Sequence, residues 1–488
     1  MNDGDIYLWD PDSDRGYSIG WNLQTIINKG IPNHDPPKSS DEFLKQILKL
    51  AQESNKEYGG QVTFNSLDNY LVPFLAQENP SKLHFIQQIE TFFEEISQKN
   101  NVTISLDLVP RPELKQVEKH QVILSAINDV IHQVHRAQMN HGNFDPSIIV
   151  NLYPENSWEQ DSLNDWLELS YLYGSPTYQN FITGTISPET LRPRNYTPEK
   201  EVTYLRLGGT NADSETQLVT GYACINLEKA GSEAETEDHF FKLVNQQMDE
   251  AANWLKNKHN RFVKSFDEGE KPLTKHFIEE PKWSYSVITL VGMNEALETL
   301  IDASIGHVAG KAVTYKVLEQ LIRKIEQLQE EKGILFSLEA YPSEKPGATL
   351  LTEYDSKYPY LTPATELKPS HGDDLWDVLE HQKKYHSLYT GGTLLQIHLE
   401  QGLHYNNGLG LLVRRTIESF GYNYLAITPV FSLCTEHGYV YGDQNCPICG
   451  EETETYTRSD QKITKISDLL EPNKEAYWRR VYYDVKNR

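Results

Sequence analysis

Cysteine is scarce in this chain, four residues in 488, and three of the four crowd into positions 434–449. So few thiols exclude a disulfide framework and fit a reducing compartment. Long apolar runs are missing too. No stretch of eighteen residues is apolar enough to cross a bilayer, and Met1 is followed by NDGDIYLWD rather than by a basic and then apolar leader. Neither a membrane span nor a secretory signal is expected, and the cytoplasm is the expected setting. Basic residues are in deficit, 45 against 70 acidic ones, with no Lys/Arg block to track a phosphate backbone, so neither DNA nor RNA is an expected partner. The sequence has no G-x-S-x-G nucleophile turn and no G-x-x-x-x-G-K-[ST] phosphate loop.

What is present alternates between two periods. Phe43, Leu44, Ile47, Leu48 and Ala51 recur at helical spacing, as do Leu83, Ile86, Ile89, Phe92 and Phe93, and each set predicts an amphipathic helix with one buried face. Between them lie β-rich runs: NVTISLDLV at 101, SIIVNLY at 147, YSVITLVG at 285, GILFSLEAY at 333, TLLQIHL at 393 and YNYLAITPVFSL at 422. A long helical stretch, AGKAVTYKVLEQLIRKIEQLQEEKG, ends at Gly333, where a glycine stop is expected. Strand, helix, strand at this spacing predicts an α/β fold with a largely parallel sheet that could close as a barrel. Residues 184–215, rich in Pro, Gly, Thr and Asn, form the one loop-rich region.

The cysteines return near the end. Cys434-x-x-His437 is followed, after eight intervening residues, by Cys446-x-x-Cys449. Thiolates and imidazole are borderline-soft donors suited to tetrahedral zinc, and two paired half-sites at this spacing form a small zinc ribbon. Four protein ligands leave no coordination position for water, so the expected metal is structural rather than catalytic. Other acidic and histidine groups carry blander expectations. Asp10, Asp12 and Asp14 alternate like a calcium loop but lack a glutamate at the twelfth position, which leaves a solvated acidic turn. His132 and His135, with Glu118, are expected on the polar side of a helix.

Eight stretches, in order, carry a resemblance. GDIYLWDPDSDRGYSIGWNLQTIINKGI, YGGQVTFNSLDNYLVPF, YGSPTYQNFI, TGYACINLEKA, VGMNEALETL, FSLEAYPSE, YTGGTLLQIHL and TPVFSLCTEHGYVYGDQNCPICG resemble consecutive segments of anaerobic, class III ribonucleoside-triphosphate reductases. The resemblance implies a ten-stranded α/β barrel of two five-stranded halves over residues 1–430, and a zinc-binding region with the radical loop over 431–488. Members often carry an N-terminal nucleotide-sensing cone; here the match begins at Gly4, so that cone is not expected. Members are typically homodimers.

The family's reaction uses a radical-bearing glycine, a cysteine that becomes a thiyl radical and a second cysteine across the substrate. On the corresponding motifs this chain has Gln461 at the glycine, Tyr204 and Leu205 in the thiyl stretch, and Ser18 at the partner cysteine. A serine O–H is too strong a bond to replace a thiol as hydrogen-atom donor. Cys224, in TGYACINLEKA, reads as a buried small hydrophobe on a barrel strand. Asn180, Asn294, Glu295, Gly391, Gly392 and Thr393 remain as candidates to bind a ribonucleotide, the glycines because their torsions let backbone N–H groups approach a phosphate.

The expected function is therefore a non-radical paralogue that binds ribonucleoside triphosphates in a regulatory or binding role. The alternatives are an active reductase, which would need a radical-generating activase as partner, and a structural partner of another complex.

Overall fold

The computed structural model describes all residues except 1–3, 100, 112–113, 116–117, 184–216, 282–283, 341–342, 373, 400–407, 443, 461 and 484–488. Eleven strands form the main sheet: β1 (Ile6–Leu8), β2 (Ser18–Trp21), β3 (Val62–Phe64), β4 (Val102–Leu106), β5 (Ser147–Leu152), β6 (Thr177–Asn180), β7 (Gln217–Asn226), β8 (Tyr285–Val291), β9 (Leu335–Ala340), β10 (Gly392–Leu399) and β11 (Tyr424–Pro429). Strands β2 to β6 pair in parallel, and so do β7 to β11. Antiparallel seams β6–β11 and β7–β2 join the two halves into a closed barrel of ten strands, with β1 adding to β7 alongside β2. The ten-stranded barrel of two five-stranded halves is thus what the chain forms.

Alternation decides which side chains face inward. Ile19, Trp21, Val62, Phe64, Val102, Ile104, Ile148 and Val150 pack outward into the core shared with the helices of the first half. Ala223, Ile225, Ile288, Leu290, Phe336 and Leu338 do the same in the second half. The opposite parity, with Ser18, Thr63, Thr103, Ser105, Asn151 and Gln179 in the first half and Tyr222, Cys224, Val287 and Thr289 in the second, is buried in the lumen. A barrel half lined by hydroxyl and amide groups is a site for a polar guest, not a hydrocarbon core.

Helices wrap the outside for ordinary reasons. Ser40–Glu57 begins at Ser39, whose hydroxyl accepts the Glu42 N–H, and carries Asp41 and Glu42 in its first turn. It buries Phe43, Leu44, Ile47, Leu50 and Ala51. Val308–Lys332 stops at Gly333, held at φ +64°. Two expectations are corrected. Leu83 does not join the buried face of Lys82–Ser97; it stands 66% exposed, two residues ahead of the first buried residue, Phe85, and so on another side of the helix. His132 and His135 do not decorate a polar face. His135 is fully buried against Phe93 and Trp166, its basicity pushed down to about 3 by desolvation, and His132 meets the Trp166 ring edge-on at 5.5 Å.

The acidic turn at Asp10–Asp14 is open to solvent at Pro11 and Asp12, as expected, and its other residues are also held by cations. Lys258 donates to the Asp10 and Ser13 carbonyls at 2.6 and 2.8 Å, Arg15 to Asp10 at 2.7 Å and Lys271 to Asp14 at 2.7 Å.

After β11 the chain builds a separate antiparallel sheet from β12 (Phe431–Cys434), β13 (Gly438–Tyr441), β14 (Glu454–Ser459) and β15 (Lys462–Lys465), in the order β13-β12-β14-β15. It sits on the barrel mouth beside the start of β6. Arg458 donates to the Gly174 carbonyl and to Thr177 Oγ1, and Tyr439 N–H donates to Asn140 Oδ1 at 3.0 Å.

Candidate functional site

The four predicted metal ligands converge. Cys434 ends β12, His437 closes the turn into β13, and Cys446 and Cys449 flank a tight turn in which Gly450 N–H bonds to the Cys446 carbonyl at 2.8 Å. Their ligand atoms all lie within 4.8 Å of one another, with Cys434 Sγ at 3.7 Å from both His437 Nδ1 and Cys449 Sγ, and Cys446 Sγ at 3.6 Å from His437 Nδ1. Bonds of ~2.3 Å to sulfur and ~2.0–2.1 Å to nitrogen put tetrahedral ligands roughly 3.5–3.8 Å apart, so the donor set and the spacing both fit a metal ion. Backbone N–H groups of Glu436 and His437, then the His437 ring, hold the Cys434 thiol down to about 6, toward the thiolate a metal needs.

The metal-binding turns and the β14–β15 hairpin belong to one small sheet, and the hairpin reaches into the barrel. Its tip residue Asp460 has a left-handed backbone, φ +51°. Asp460 N–H donates to Glu344 Oε2 at 3.0 Å, its Oδ1 accepts the Glu344 N–H at 3.0 Å, and its carbonyl accepts Gln396 Nε2 at 2.9 Å. Glu344 opens the helix Glu344–Leu350 just after β9, and Gln396 lies mid-way along β10, so the tip sits inside the mouth formed by the C-terminal ends of the second-half strands. Ligands of parallel α/β sheets gather at such ends.

Around the tip the lumen is crowded with rings. Tyr17 stacks on Tyr222 at 5.0 Å, and the Tyr222 hydroxyl meets Thr289 and Ser343. Cys224 is fully buried beside them; loss of water, against hydrogen bonds from Thr289 and Ser343, pushes its thiol up to about 12. It is the inert, buried thiol that its strand position suggests.

Residues 1–474 match the family model described as anaerobic ribonucleoside-triphosphate reductase. The chain belongs to that family. A solved structure described as an anaerobic ribonucleotide reductase superposes with a TM-score of 0.79 at 17% identity, over 99% of this chain and 84% of the other. The Thermotoga maritima anaerobic ribonucleotide reductase with glycerol in its active site gives 0.78 at 17% identity, over 98% and 84%. The same enzyme in complex with dATP and CTP gives 0.75 at 17%, over 98% and 84%. At such identities the likeness to these structures establishes the barrel. Among curated proteins none matches the chain.

Within this reductase-family barrel the remaining site residues separate. Ser18 lies on β2, fully buried, with a hydroxyl that has no hydrogen-bond partner among the described residues. Tyr204, Leu205 and Gln461 lie outside the described residues, as does the loop-rich stretch 184–215. Asn180 and Thr393 meet at Asn423, with Gly391 and Gly392 just ahead of Thr393 in the chain: Asn180 N–H donates to the Asn423 carbonyl at 2.8 Å, and Thr393 N–H to its Oδ1 at 3.3 Å. Asn294 and Glu295 instead follow the C-terminal end of β8, whereas Gly391 precedes β10, which is the opposite end of strands that run the same way.

Both sets are occupied with holding the scaffold. Asn180 accepts the Ile182 and Thr183 N–H groups and donates to Tyr422 O, while Glu295 takes the Thr362 N–H and hydroxyl at 3.1 and 2.6 Å. A Cβ at Gly391 would stand 2.3 Å from Glu339 Cγ, so that glycine is required by packing alone.

Sequence reasoning missed the acidic floor of the first half. Asp107 accepts from Ser66 Oγ at 3.0 Å, Asn69 Nδ2 at 3.0 Å and Asn151 Nδ2 at 2.7 Å, and Arg111 Nε stands 3.4 Å away. Asp68 accepts the N–H groups of Asn69, Asp107 and Leu108 and the Asn128 amide. Asp68 was visible within YGGQVTFNSLDNYLVPF, but its pairing with Asp107, thirty-nine residues on, was not.

Proposed function

We propose that this member of the anaerobic ribonucleoside-triphosphate reductase family has left radical reduction and uses its barrel to bind a ribonucleotide. One observation carries the first half: the hairpin that enters the barrel holds no glycine. From Glu451 to Arg488 the sequence has none, so no shift of register within that segment supplies a radical site. The thiol inventory agrees. Three of the four cysteines sit in the metal cluster and only Cys224 remains in the barrel, whereas the family's reaction needs two cysteines facing the substrate. Ser18, Tyr204, Leu205 and Gln461 then stand as residues that have replaced the reactive ones. We assign the metal as a structural zinc, held by Cys434, His437, Cys446 and Cys449, which braces the hairpin of a 431–488 unit against a 1–430 barrel.

The nucleotide half rests on the lumen. Among the described residues, Ser18 Oγ, Thr63 Oγ1, both amide atoms of Asn65, Asn151 Oδ1, Gln179 Oε1 and Thr428 Oγ1 are buried without a hydrogen-bond partner. Buried polar atoms are seldom left so, and together they suit the hydroxyls of a sugar and the edge of a base. The Thermotoga maritima enzyme of similar fold has been seen in complex with dATP and CTP. Equilibrium titration with each ribonucleoside triphosphate tests this reading. At least one is expected to bind with a Kd on the order of 10 µM, and Asn65→Ala with Asn151→Ala should weaken it about tenfold or more, the loss of one or two hydrogen bonds. If none of the four binds, the nucleotide half is wrong and the radical half is untouched.

A further inference from the structure

The helix Glu471–Trp478 and the residues after it, up to Tyr483, lie against the barrel rim where β10 ends. Val481 N–H donates to the Pro369 carbonyl and Tyr483 N–H to that of His398, both at 2.8 Å. Between this segment, the loop 360–369 and the end of β10 is a cavity of about 800 Å³ including its open mouth, roomy enough for a small organic molecule. None of the residues offered above for the nucleotide lines it.

The charges around this cavity do not balance. Two carboxylates face it, Glu344 and Glu366. Among the described residues the one cation within bonding distance of either is Arg480, whose side chain is 9% exposed and gives a single bond, to Glu344 Oε1 at 3.4 Å. Lys368 also lines the wall but is committed to Glu298 at 2.6 Å, and the His398 ring is kept neutral by burial and by the nearby Arg480 and Arg458. Glu366 is fixed through its backbone, its N–H donating to the Pro363 carbonyl at 3.0 Å, while its carboxyl has no hydrogen bond or ion pair among the described residues. Carboxylates withdrawn from water are paired or give up their charge. Loss of water and then the Glu344 charge push this one up to about 8, as expected of an acid without a counter-ion.

We propose that the cavity is a second binding site, and that its ligand is a small aliphatic amine whose ammonium group pairs with Glu366 while its carbon chain lies on the apolar wall. That wall is built by Leu361, Val378 and Leu395. Tyr360 and Tyr483 add aromatic rings, which attract an organic cation. A metal ion would need three or more converging ligand groups, and among the described residues only the Cys434–Cys449 quartet offers them. An anion would meet two carboxylates against one guanidinium. The inference does not depend on what the lumen binds.

Titration calorimetry of the full-length, zinc-loaded protein with n-butylamine tests it, with n-butanol as the neutral isostere and inorganic phosphate as the probe for an anion site on Arg480. At about pH 8.5 Glu366 can ionise and a primary amine is still charged. n-Butylamine is expected to bind with a Kd below about 1 mM, and n-butanol and phosphate at least about tenfold more weakly. Glu366→Gln keeps the shape and removes an unpaired charge rather than a bond. It should weaken n-butylamine about tenfold or more and leave the melting temperature of the ligand-free protein unchanged or raised. The inference is overturned if n-butylamine does not bind, if n-butanol or phosphate binds as tightly, or if Glu366→Gln binds n-butylamine like the wild type. A Glu366→Gln protein that melts lower without ligand, or does not fold, also overturns it, because the carboxylate would then have a structural partner.

Discussion

Replacing Cys446 with serine is expected to release the metal, melt the four-stranded C-terminal sheet and free the hairpin from the barrel. The sheet is too small to stand on its own core. Its strands are four to six residues long, and Cys434, Val440 and Cys446 form a tiny cluster of their own at the metal end. Structural zinc supplies about 10–16 kcal/mol of apparent binding free energy in isolated zinc-finger peptides, far more than such a cluster. Thiol titration gives the sharpest readout. The native protein should show one zinc and little reactive thiol, a chelator should expose the three ligand cysteines, and Cys224 should react only in denaturant, because it is fully buried and its thiol is pushed up to about 12. Three freely reacting thiols in the untreated protein, with an unchanged melting curve in Cys446→Ser, would contradict the assignment.

The second large effect is expected at Asp68. Truncation to alanine strands three backbone N–H groups and the Asn128 amide in a site where Asp68 itself has no exposed surface. Each orphaned donor costs about 1–3 kcal/mol, and partial relaxation should leave a net loss of about 3–5 kcal/mol by urea unfolding. The pH dependence has a definite sign. Burial, and then the neighbouring Asp107 carboxylate, push the Asp68 carboxyl up to about 6, so the folded state binds its proton more tightly than the unfolded chain. That contribution is fully present below about pH 4 and is lost as pH rises to about 6. The advantage of wild type over Asp68→Asn should therefore be larger at pH 4.5 than at pH 7. A truncation that costs less than about 1 kcal/mol would mean that water replaces the carboxylate there.

How much of this the sequence disclosed depends on the range of the interaction involved. The metal quartet was legible because its chemistry sits in sixteen consecutive positions and the spacing alone implies the geometry. Strands β4, β5, β8, β9, β10 and β11 were legible as β-branched and apolar runs of five to eight residues. Strands β1, β2, β3 and β6 were not, since three or four residues such as SIGW or TYQN put hydroxyls and amides into the lumen and give no apolar alternation to read. The histidines misled for a related reason. His135 looks polar in a list, yet its ring packs among Phe93 and Trp166 and gives up its charge. Least legible was the meeting of Asp460 with Glu344, 116 residues apart, which arises only because a C-terminal hairpin folds back into the mouth of the barrel. The glycine-free segment that follows the metal ligands could have been read without any alignment.

The central claim is that the hairpin no longer carries radical chemistry. It is tested most directly by incubating the metal-loaded protein anaerobically with a radical-generating activase, S-adenosylmethionine and a reductant, and recording the electron-spin resonance spectrum while assaying each ribonucleoside triphosphate for its deoxy product. The expected result is no glycyl signal and no deoxynucleotide above the enzyme-free control. A glycyl doublet accompanied by turnover would contradict the account and restore the barrel to its family's reaction.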